Sequence, residues 1–505
     1  MKTLFSNDYP SEPVVLNNLS AKFMKQSKFV PLSVDENTLR IAMADPGDFW
    51  TIDALKQGVG LDVEVVAGNE DDIFEAVERL YGAGTQSMEM IIEEAGRDIF
   101  QISDNGKEDV DQLRDLASEA PIIRLVNRII IKAVAFRASD IHFEPFEDQF
   151  RVRFRVDGVL HDVESPPKRL QAAILSRIKI MADLDIAERR LPQDGRIKLK
   201  ISSRDIDFRV STIPTLFGES LVLRVLDRDM LILDLEKIGF PPRLLEQYMT
   251  LIIQPYGMIL VTGPTGSGKT STLYTSLAKI NSPENKIITL EDPVEYYLSG
   301  VNQIQVNPKI GMTFANGLRS IVRQDPDIIL VGEIRDKETA EIAIQSALTG
   351  HLLFSTLHTN DSVGAISRLL DMGVEGFLLS STLLGVLAQR LVRVICPDCK
   401  QPIIPDEKHL SAMGLNDQDI KDVTFYSGAG CEECRYTGFS GRTALFEYLA
   451  IDSDIRNEVS KKSDTERIKK VALTKGLVTL RQNGWEKVKN GVTTLPEILR
   501  VTLEK

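Results

Sequence analysis

Nearly uninterrupted apolar runs separated by amphipathic segments dominate the C-terminal half of the chain. The runs Met258–Thr262 (MILVT), Ile328–Val331 (IILV) and Leu352–Leu357 (LLFSTL) are typical of strands that are buried on both faces of a parallel sheet. Helical spacing of the apolar positions in Thr270–Ile280 predicts a helix directly after the first of these strands. The strand–helix repeats therefore predict an α/β domain over residues 235–505.

The N-terminal half shows three other patterns. Residues 1–82 alternate short strand and helix signals, which predicts a small α/β domain with a docking or regulatory role. Residues 83–118 are polar and acidic, which indicates a linker with some helical content. Residues 119–230 begin with an amphipathic helix and continue with short alternating runs, which predicts an α+β domain. The strands expected in these two domains are Leu39–Ala44, Val63–Ala67, Phe150–Arg155, Arg196–Ile201, Ile206–Ser211 and Leu221–Leu226.

One long apolar stretch, Gly376–Ile395, must be weighed as a membrane span. It contains Gln389, Arg390 and Arg393, so we interpret it as a buried helix instead. The N-terminal residues lack the apolar core of a secretory signal. We therefore expect a cytoplasmic protein that reaches a membrane only through a partner.

The overall composition favours an ordinary globular protein. The chain has 505 residues, of which 43% are hydrophobic and 26% charged, and a formal net charge of −13. This acidic balance, without a stripe of interleaved aromatic and basic residues, counts against a nucleic-acid motor. That alternative stays open, and stimulation of the protein's activity by nucleic acid would reveal it.

A glycine-rich segment follows the predicted strand Met258–Thr262 and has the pattern G-x-x-x-x-G-K-[ST]. Glycines allow backbone N–H groups to converge on phosphate oxygens, and the helix that follows adds its dipole. We expect Lys269 to contact the β- and γ-phosphates of ATP and Thr270 to ligate Mg²⁺. The predicted nucleotide-binding residues are Gly263, Pro264, Thr265, Gly266, Ser267, Gly268, Lys269, Thr270 and Ser271.

Acidic residues follow two other predicted strands at the edge where ligands of a parallel sheet bind. Glu333 ends the run that contains Ile328–Val331, and we assign it the Mg²⁺-binding role that an aspartate more usually has at this place. Glu295 follows the predicted strand Ile287–Leu290 and is the first choice for orienting the attacking water. Glu291 and Asp292 remain its competitors.

Two histidines flank the strand Leu352–Leu357. His358 follows the strand at its carboxyl end, where we expect it to bond the γ-phosphate and sense hydrolysis. His351 precedes the strand, and functional and structural roles are equally open for it.

All four cysteines fall in two C-x-x-C pairs, Cys396/Cys399 and Cys431/Cys434. In a chain without an export signal this pattern indicates metal rather than disulfides. Four thiolates suit one tetrahedral Zn²⁺, and a site with no open position is structural. We therefore expect a zinc subdomain over residues 394–442, with a redox role for each pair as the alternative.

At this point the motifs are specific enough to show a resemblance. The segments GPTGSGKT, ITLEDPVEY, RQDPDIILVGEIRD and TGHLLFSTLHTND resemble the Walker A, Asp-box, Walker B and His-box motifs of bacterial secretion ATPases, the hexameric motors of type II secretion and type IV pilus systems. Upstream, ASDIHFEP, RFRVDGVL and RLPQDGRI resemble the second N-terminal domain of that family. The resemblance extends from about Pro121 to the C-terminus, whereas residues 1–82 match less sharply.

The resemblance implies a RecA-like ATPase domain with a zinc insertion, preceded by a PAS-like α+β domain and a small α/β domain. It also implies that the second domain supplies arginines to the nucleotide of a neighbouring subunit, and Arg209 and Arg224 match by position. Further basic candidates near the site are Arg319, Arg323, Arg335 and Arg368.

Among the systems served by this family, we prefer type II secretion to pilus assembly. The four-cysteine insertion argues against a pilus-retraction motor, because retraction ATPases typically lack it. The resemblance further implies that residues 1–82 bind the cytoplasmic part of an inner-membrane protein and that the ring meets a polytopic platform protein. A scaffold that binds ATP but hardly hydrolyses it is the remaining alternative.

Overall fold

The computed structural model describes residues 9–10, 14, 21–35, 38–81, 110–163, 165–201, 204–227 and 234–502. The chain divides into two compact units, residues 1–226 and 227–505. Within the described ranges, no helix combines the length and the apolar character needed to cross a membrane.

The first sheet has three strands in the order β1-β2-β3, of which β1 and β2 are antiparallel and β2 and β3 parallel. The two predicted strands are confirmed to within one residue at each end, whereas β1 was not predicted. The elements are α1 (Ala21–Gln26), β1 (Phe29–Asp35), β2 (Thr38–Met43), α2 (Phe49–Val59), β3 (Asp62–Ala67) and α3 (Glu70–Tyr81).

The second sheet has six strands in the order β6-β5-β4-β9-β8-β7. Residues 83–109 of the expected linker lie outside the described residues. Residues 110–118 form a helix that packs against the helix Gln171–Met181, with Leu113 and Ala117 buried. The elements are α4 (Val110–Ser118), α5 (Ala120–Ala135), β4 (Asp140–Pro145), β5 (Phe150–Val156), β6 (Val159–Asp162), α6 (Gln171–Met181), β7 (Gln193–Ile201), β8 (Arg204–Thr215) and β9 (Gly218–Asp227).

The second unit contains a seven-stranded sheet in the order β12-β11-β13-β14-β10-β15-β18. Its first six strands are parallel, and β18 runs antiparallel to β15. The strands are β10 (Gly257–Thr262), β11 (Ile287–Glu291), β12 (Asn302–Gln305), β13 (Ile328–Val331), β14 (Leu352–Leu357), β15 (Leu383–Ile395) and β18 (Phe439–Ala450).

Helices cover both faces of this sheet, which explains why its central strands are predominantly apolar. Every residue of β10, β13 and β14 is buried. The helices of this unit are α7 (Leu235–Ile238), α8 (Pro242–Ile252), α9 (Lys269–Ile280), α10 (Phe314–Ile321), α11 (Lys337–Leu348), α12 (Ser362–Asp371), α13 (Gly376–Thr382), α16 (Ser453–Ser460), α17 (Thr465–Thr474), α18 (Leu480–Lys489) and α19 (Leu495–Thr502).

The interpretation of Gly376–Ile395 as one buried helix is wrong. The structure has a short helix, α13, and then the long strand β15, which pairs with β10 on one side and β18 on the other. Most of β15 is buried on both faces, so its sequence lacks the alternation that marks a half-exposed strand. Length and apolar character alone could not separate it from a buried helix.

Candidate active site and metal centre

The segment between β10 and α9 has a backbone that requires glycine at several positions. Gly266 and Gly268 have φ angles of 78° and 87°, in the left-handed region. At Gly263, where φ is 151°, a Cβ atom would lie 2.4 Å from the carbonyl oxygen of Gln389. The loop backbone therefore carries no side chains at these glycines and lies close to β15. This conformation fits a loop whose N–H groups bind a phosphate.

Lys269 lies at the start of α9 and its ammonium points back into this loop. Its Nζ donates to the carbonyl oxygens of Gly263 at 2.7 Å and Pro264 at 3.1 Å. Burial lowers the pKa of Lys269 to about 8, with the charge of Glu333 opposing that shift and the charge of Arg390 adding to it. Lys269 and Glu333 follow the carboxyl ends of β10 and β13, which only β14 separates in the sheet, so these two predicted site residues lie at the same edge.

The hydroxyl residues next to Lys269 are also compatible with a bound phosphate. Thr270 is exposed in the first turn of α9 and Ser271 is half-buried. The Ser267 hydroxyl is buried and has no hydrogen-bond partner among the described residues. A buried hydroxyl without a partner is costly, so a polar ligand in the loop is the natural partner for it.

Glu333 follows β13 at its carboxyl end and sits at the centre of a charged cluster. Its carboxylate bonds the Arg335 guanidinium and lies 3.3 Å from His358 Nε2. Burial of Glu333 opposes ionisation, but the hydrogen bond and charge of Arg335, together with His358, hold the pKa of the carboxyl below its usual value. The carboxylate is therefore charged at neutral pH, as a cation-binding role requires.

The three acidic candidates after β11 have different surroundings. Glu291 is buried, and its two oxygens accept from Tyr274, Thr289 and Gln303. Asp292 is exposed and forms an ion pair with Arg335 at 3.6 Å, which gives it a structural role. Glu295 is half-buried in the loop beyond them.

The remaining basic candidates occupy different positions. Arg319, on α10, bonds Glu338 at 2.5 Å, and Arg323 donates to the Arg319 carbonyl. Arg368 is exposed on α12. His351 lies before β14, at the opposite end of the strand from His358, and its Nδ1 is 2.8 Å from the Ser346 carbonyl oxygen.

The two arginines that the family resemblance points to lie in the first unit. Arg209 is on β8, opposite Arg196 of β7. Arg224 is on β9, its side chain is 56% exposed, and its Nε is 3.1 Å from Asp140 Oδ1. Their approach to a nucleotide stays a prediction.

Sequence reasoning missed several polar residues that surround the site. Gln389 on β15 is buried behind the loop and accepts from Thr272 at 2.8 Å. Arg390 is also on β15, and it lines a cavity of about 860 Å³ that adjoins the loop at Pro264. Both residues belong to β15, which the sequence led us to interpret as a helix. That interpretation gave no reason to place their side chains beside the phosphate loop. Tyr274 and Gln303 surround Glu291, and only their positions in the fold reveal them.

The four cysteines meet in one cluster. The insertion that carries them comprises β16 (Lys400–Ile403), α14 (Glu407–Met413), α15 (Asp417–Ile420) and β17 (Phe425–Gly428). All four sulfur atoms lie within 4.8 Å of one another, with Cys396–Cys431 at 3.8 Å and Cys399–Cys434 at 3.7 Å. Tetrahedral zinc with bonds of about 2.3 Å places its sulfurs about 3.8 Å apart, so the cluster is compatible with zinc.

Backbone N–H groups support the thiolates. Gly430 donates to Cys399 Sγ at 3.3 Å, and Cys431 and Gly438 donate to Cys434 Sγ at 3.2 and 3.3 Å. Such donors stabilise negative charge on sulfur and orient metal ligands.

Known proteins resemble this chain over almost its whole length. The family described as "Type II/IV secretion system protein" matches residues 115–500, and the "MshEN domain" matches residues 2–87. "Type II secretion system protein E" of Xanthomonas campestris pv. campestris is 49% identical over 96% of this chain and 85% of its own length. "Type IV pilus assembly ATPase PilB" of Myxococcus xanthus is 46% identical over 97% of this chain and 87% of its own length.

Among solved structures, the pilus retraction motor PilT with bound ADP is similar, with a TM-score of 0.51 and 27% identity, over 74% of this chain and 96% of that chain. These similarities confirm the predicted α/β fold and an ATP-hydrolysing enzyme. The extent of the family match and the identity to its members show that the chain belongs to the type II/IV secretion system ATPase family.

Proposed function

We propose that the chain hydrolyses ATP to drive type II protein secretion through assembly of a pseudopilus. The observation that carries the chemistry is that Lys269, Glu333 and His358 follow the carboxyl ends of three neighbouring parallel strands, with His358 Nε2 3.3 Å from the Glu333 carboxylate. The type II assignment is supported by relatives named type II secretion system protein E, with identities of 49% and 50% in two of them.

The residues divide the work as follows. The loop N–H groups and Lys269 bind the phosphates, and Lys269 exchanges its bonds to the loop carbonyls for phosphate oxygens. Mg²⁺ neutralises phosphate charge when it is bound, and Thr270 and Glu333 would hold it. Glu295 orients the attacking water, and His358 responds to the γ-phosphate while it is paired with Glu333.

We propose that the active form is a homo-oligomeric ring, most simply a hexamer, in which the second domain of one subunit supplies Arg209 and Arg224 to the nucleotide of its neighbour. The exposure of Arg224 supports this role, since its ion pair with Asp140 leaves more than half of the side chain at the surface. Arginines placed in this way neutralise charge in the transition state.

We propose that this ATPase works in the cytoplasm at the periphery of the inner membrane. Residues 1–82 would bind the cytoplasmic domain of an inner-membrane secretion protein, and a polytopic platform protein would receive the movement. The match of residues 2–87 to a domain separate from the ATPase match supports a distinct task for this region.

A Lys269→Ala strain tests the choice of system. We expect secreted enzymes to disappear from the medium while surface pili persist, because the variant cannot bind phosphate productively. Loss of pili with intact secretion would instead assign the chain to pilus assembly, the alternative favoured by the 46% identity to PilB. Secretion and pili that both persist would contradict a required motor role in either system.

The lowered pKa of Lys269 predicts that nucleotide binding depends on pH. The lysine is protonated below its pKa of about 8 and loses its charge as the pH rises through that value. Phosphate binds the charged form, so the dissociation constant of Mg-ADP is expected to rise about tenfold between pH 7 and pH 9. Fluorescence titration with a labelled ADP measures this change.

Lys269→Arg is the matched control for the pH dependence. Arginine stays charged over this range, so the variant is expected to bind more weakly but with a constant affinity. Two results would contradict the proposal that deprotonation of Lys269 weakens nucleotide binding. One is a wild-type affinity that does not change between pH 7 and pH 9, and the other is an equal change in Lys269→Arg.

A further inference from the structure

We propose that Tyr274 is a positioning residue for the hydrolytic step, holding the loop that carries Glu295 against the phosphate-loop helix α9. The inference rests on the role proposed above for Glu295. Tyr274 lies on α9, which begins at Lys269, and its side chain is fully buried. One rigid helix therefore carries both the phosphate-binding lysine and the phenol that contacts the Glu295 loop.

The Tyr274 hydroxyl makes two hydrogen bonds toward that loop. It donates to the carboxylate of Glu291 and accepts from the backbone N–H of Glu295 at 3.3 Å. The Glu291 carboxylate also accepts from Thr289 at 2.5 Å. Burial, with the negative charge of Glu291, raises the pKa of Tyr274, so the phenol stays protonated and keeps its donor.

Gln303 on β12 holds the far side of the same loop. Its Nε2 donates to Glu291 at 3.3 Å and to the carbonyl oxygen of Tyr296 at 2.9 Å. Its Oε1 accepts from the Leu298 N–H at 2.7 Å. The backbone on both sides of Glu295 is thus bonded to one group of side chains, which we call the loop anchor: the buried Tyr274, Thr289 and Glu291 and the half-buried Gln303.

This arrangement gives Glu291 a different task from Glu295. Both oxygens of Glu291 are occupied by bonds of the loop anchor, and the side chain is buried. Glu291 therefore acts through other residues, whereas the Glu295 side chain belongs to the segment that the anchor fixes. The loop anchor also transmits any movement of α9, whose first residue binds phosphate, to the residue that orients water.

Tyr274→Phe tests the proposal. We expect kcat for ATP hydrolysis to fall about 10- to 100-fold, because a misplacement of about 1 Å is enough to cost that much. The affinity for Mg-ATP is expected to change by less than about threefold, because phosphate binding does not use the phenol. In a Glu295→Gln background the same substitution is expected to add no further loss, because a positioning residue has no effect once its target is gone.

Tyr248→Phe is the matched control. Tyr248 is also fully buried, and its hydroxyl is 2.9 Å from Ser276 Oγ on the same helix α9, away from the Glu295 loop. Tyr248→Phe removes a buried tyrosine hydroxyl that bonds α9, whereas Tyr274→Phe removes one that bonds the Glu295 loop, so we expect kcat of Tyr248→Phe to stay within about twofold of wild type.

Gln303→Met provides an independent variant if Tyr274→Phe does not fold. It removes the hydrogen bonds of the Gln303 side chain to the Glu295 loop, and its strand, β12, is partly exposed. A folded Tyr274→Phe protein with wild-type kcat, an equal loss in Tyr248→Phe, or additive losses in the double variant would overturn the proposal. If Glu295→Gln itself retains full turnover, the proposed role of Glu295 fails, and the inference fails with it. A severe Glu295→Gln loss beside a normal Tyr274→Phe rejects the inference alone.

Discussion

Glu295→Gln is expected to lower kcat for ATP hydrolysis about 10²- to 10⁴-fold, because the amide cannot accept a proton from the attacking water. Mg-ATP affinity is expected to stay within about threefold of wild type, since the substitution preserves size and leaves the phosphate loop intact. Steady-state phosphate release together with nucleotide titration separates the two quantities. A large loss of kcat with retained binding would also reject the scaffold alternative.

Glu284→Gln is a suitable control for this experiment. Glu284 is exposed in the segment before β11, at the opposite end of the strand from Glu295. The kcat of the Glu284→Gln variant is therefore expected to equal that of wild type. Near-normal kcat in Glu295→Gln would return the water-orienting role to Asp292 or Glu291. The buried hydrogen bonds of Glu291 and the ion pair of Asp292 make both poorer choices.

We expect the wild-type protein to bind about one zinc ion per chain and Cys431→Ser to lose it. Structural zinc contributes about 10–16 kcal/mol in small zinc peptides, so its loss is expected to unfold the insertion between β15 and β18. Elemental analysis of the purified protein measures the zinc, and limited proteolysis locates the loosened segment. The wild-type protein treated with a strong chelator is expected to show the same cleavage.

Ser411→Ala provides the comparison within the insertion. Ser411 is exposed on α14 and is not one of the clustered sulfur ligands, so the variant is expected to keep its zinc and its resistance to protease. A wild-type protein that contains no zinc but forms disulfides within the two pairs would support the redox alternative. A zinc-loaded protein whose insertion stays protected after chelation would contradict a structural role.

Short-range patterns located the central strands and the chemical motifs because their physical cause is local. The strands Ile328–Val331 and Leu352–Leu357 are confirmed at both ends, since a strand covered on both faces is predominantly apolar. The glycine-rich loop also follows from local chemistry, because the left-handed φ angles of Gly266 and Gly268 strongly favour glycine. The roles assigned to Glu295, Glu333 and His358 remain predictions, although the structure places Glu333 beside His358.

The pattern of apolar residues could not identify an element where a helix and a strand would both produce the same pattern. The sequence of β15 satisfies a buried helix and a doubly buried strand equally well, and pairing with β10 and β18 decides between them. Because of that error, the sequence did not reveal that Gln389 and Arg390 lie beside the site, a position that depends on the course of this strand.

The sequence by itself determined the ATPase family, the central parallel sheet, the phosphate loop and the cysteine pairs, because neighbours along the chain create each of these signals. Only the tertiary structure decided that the four sulfurs meet within 4.8 Å and that Tyr274 reaches both Glu291 and the Glu295 backbone. These contacts join separate strands and helices, and side-chain bonds between distant segments leave no periodic pattern in the sequence. The distinct tasks that we propose for Glu291 and Glu295 therefore rest on burial and hydrogen bonding in the folded protein.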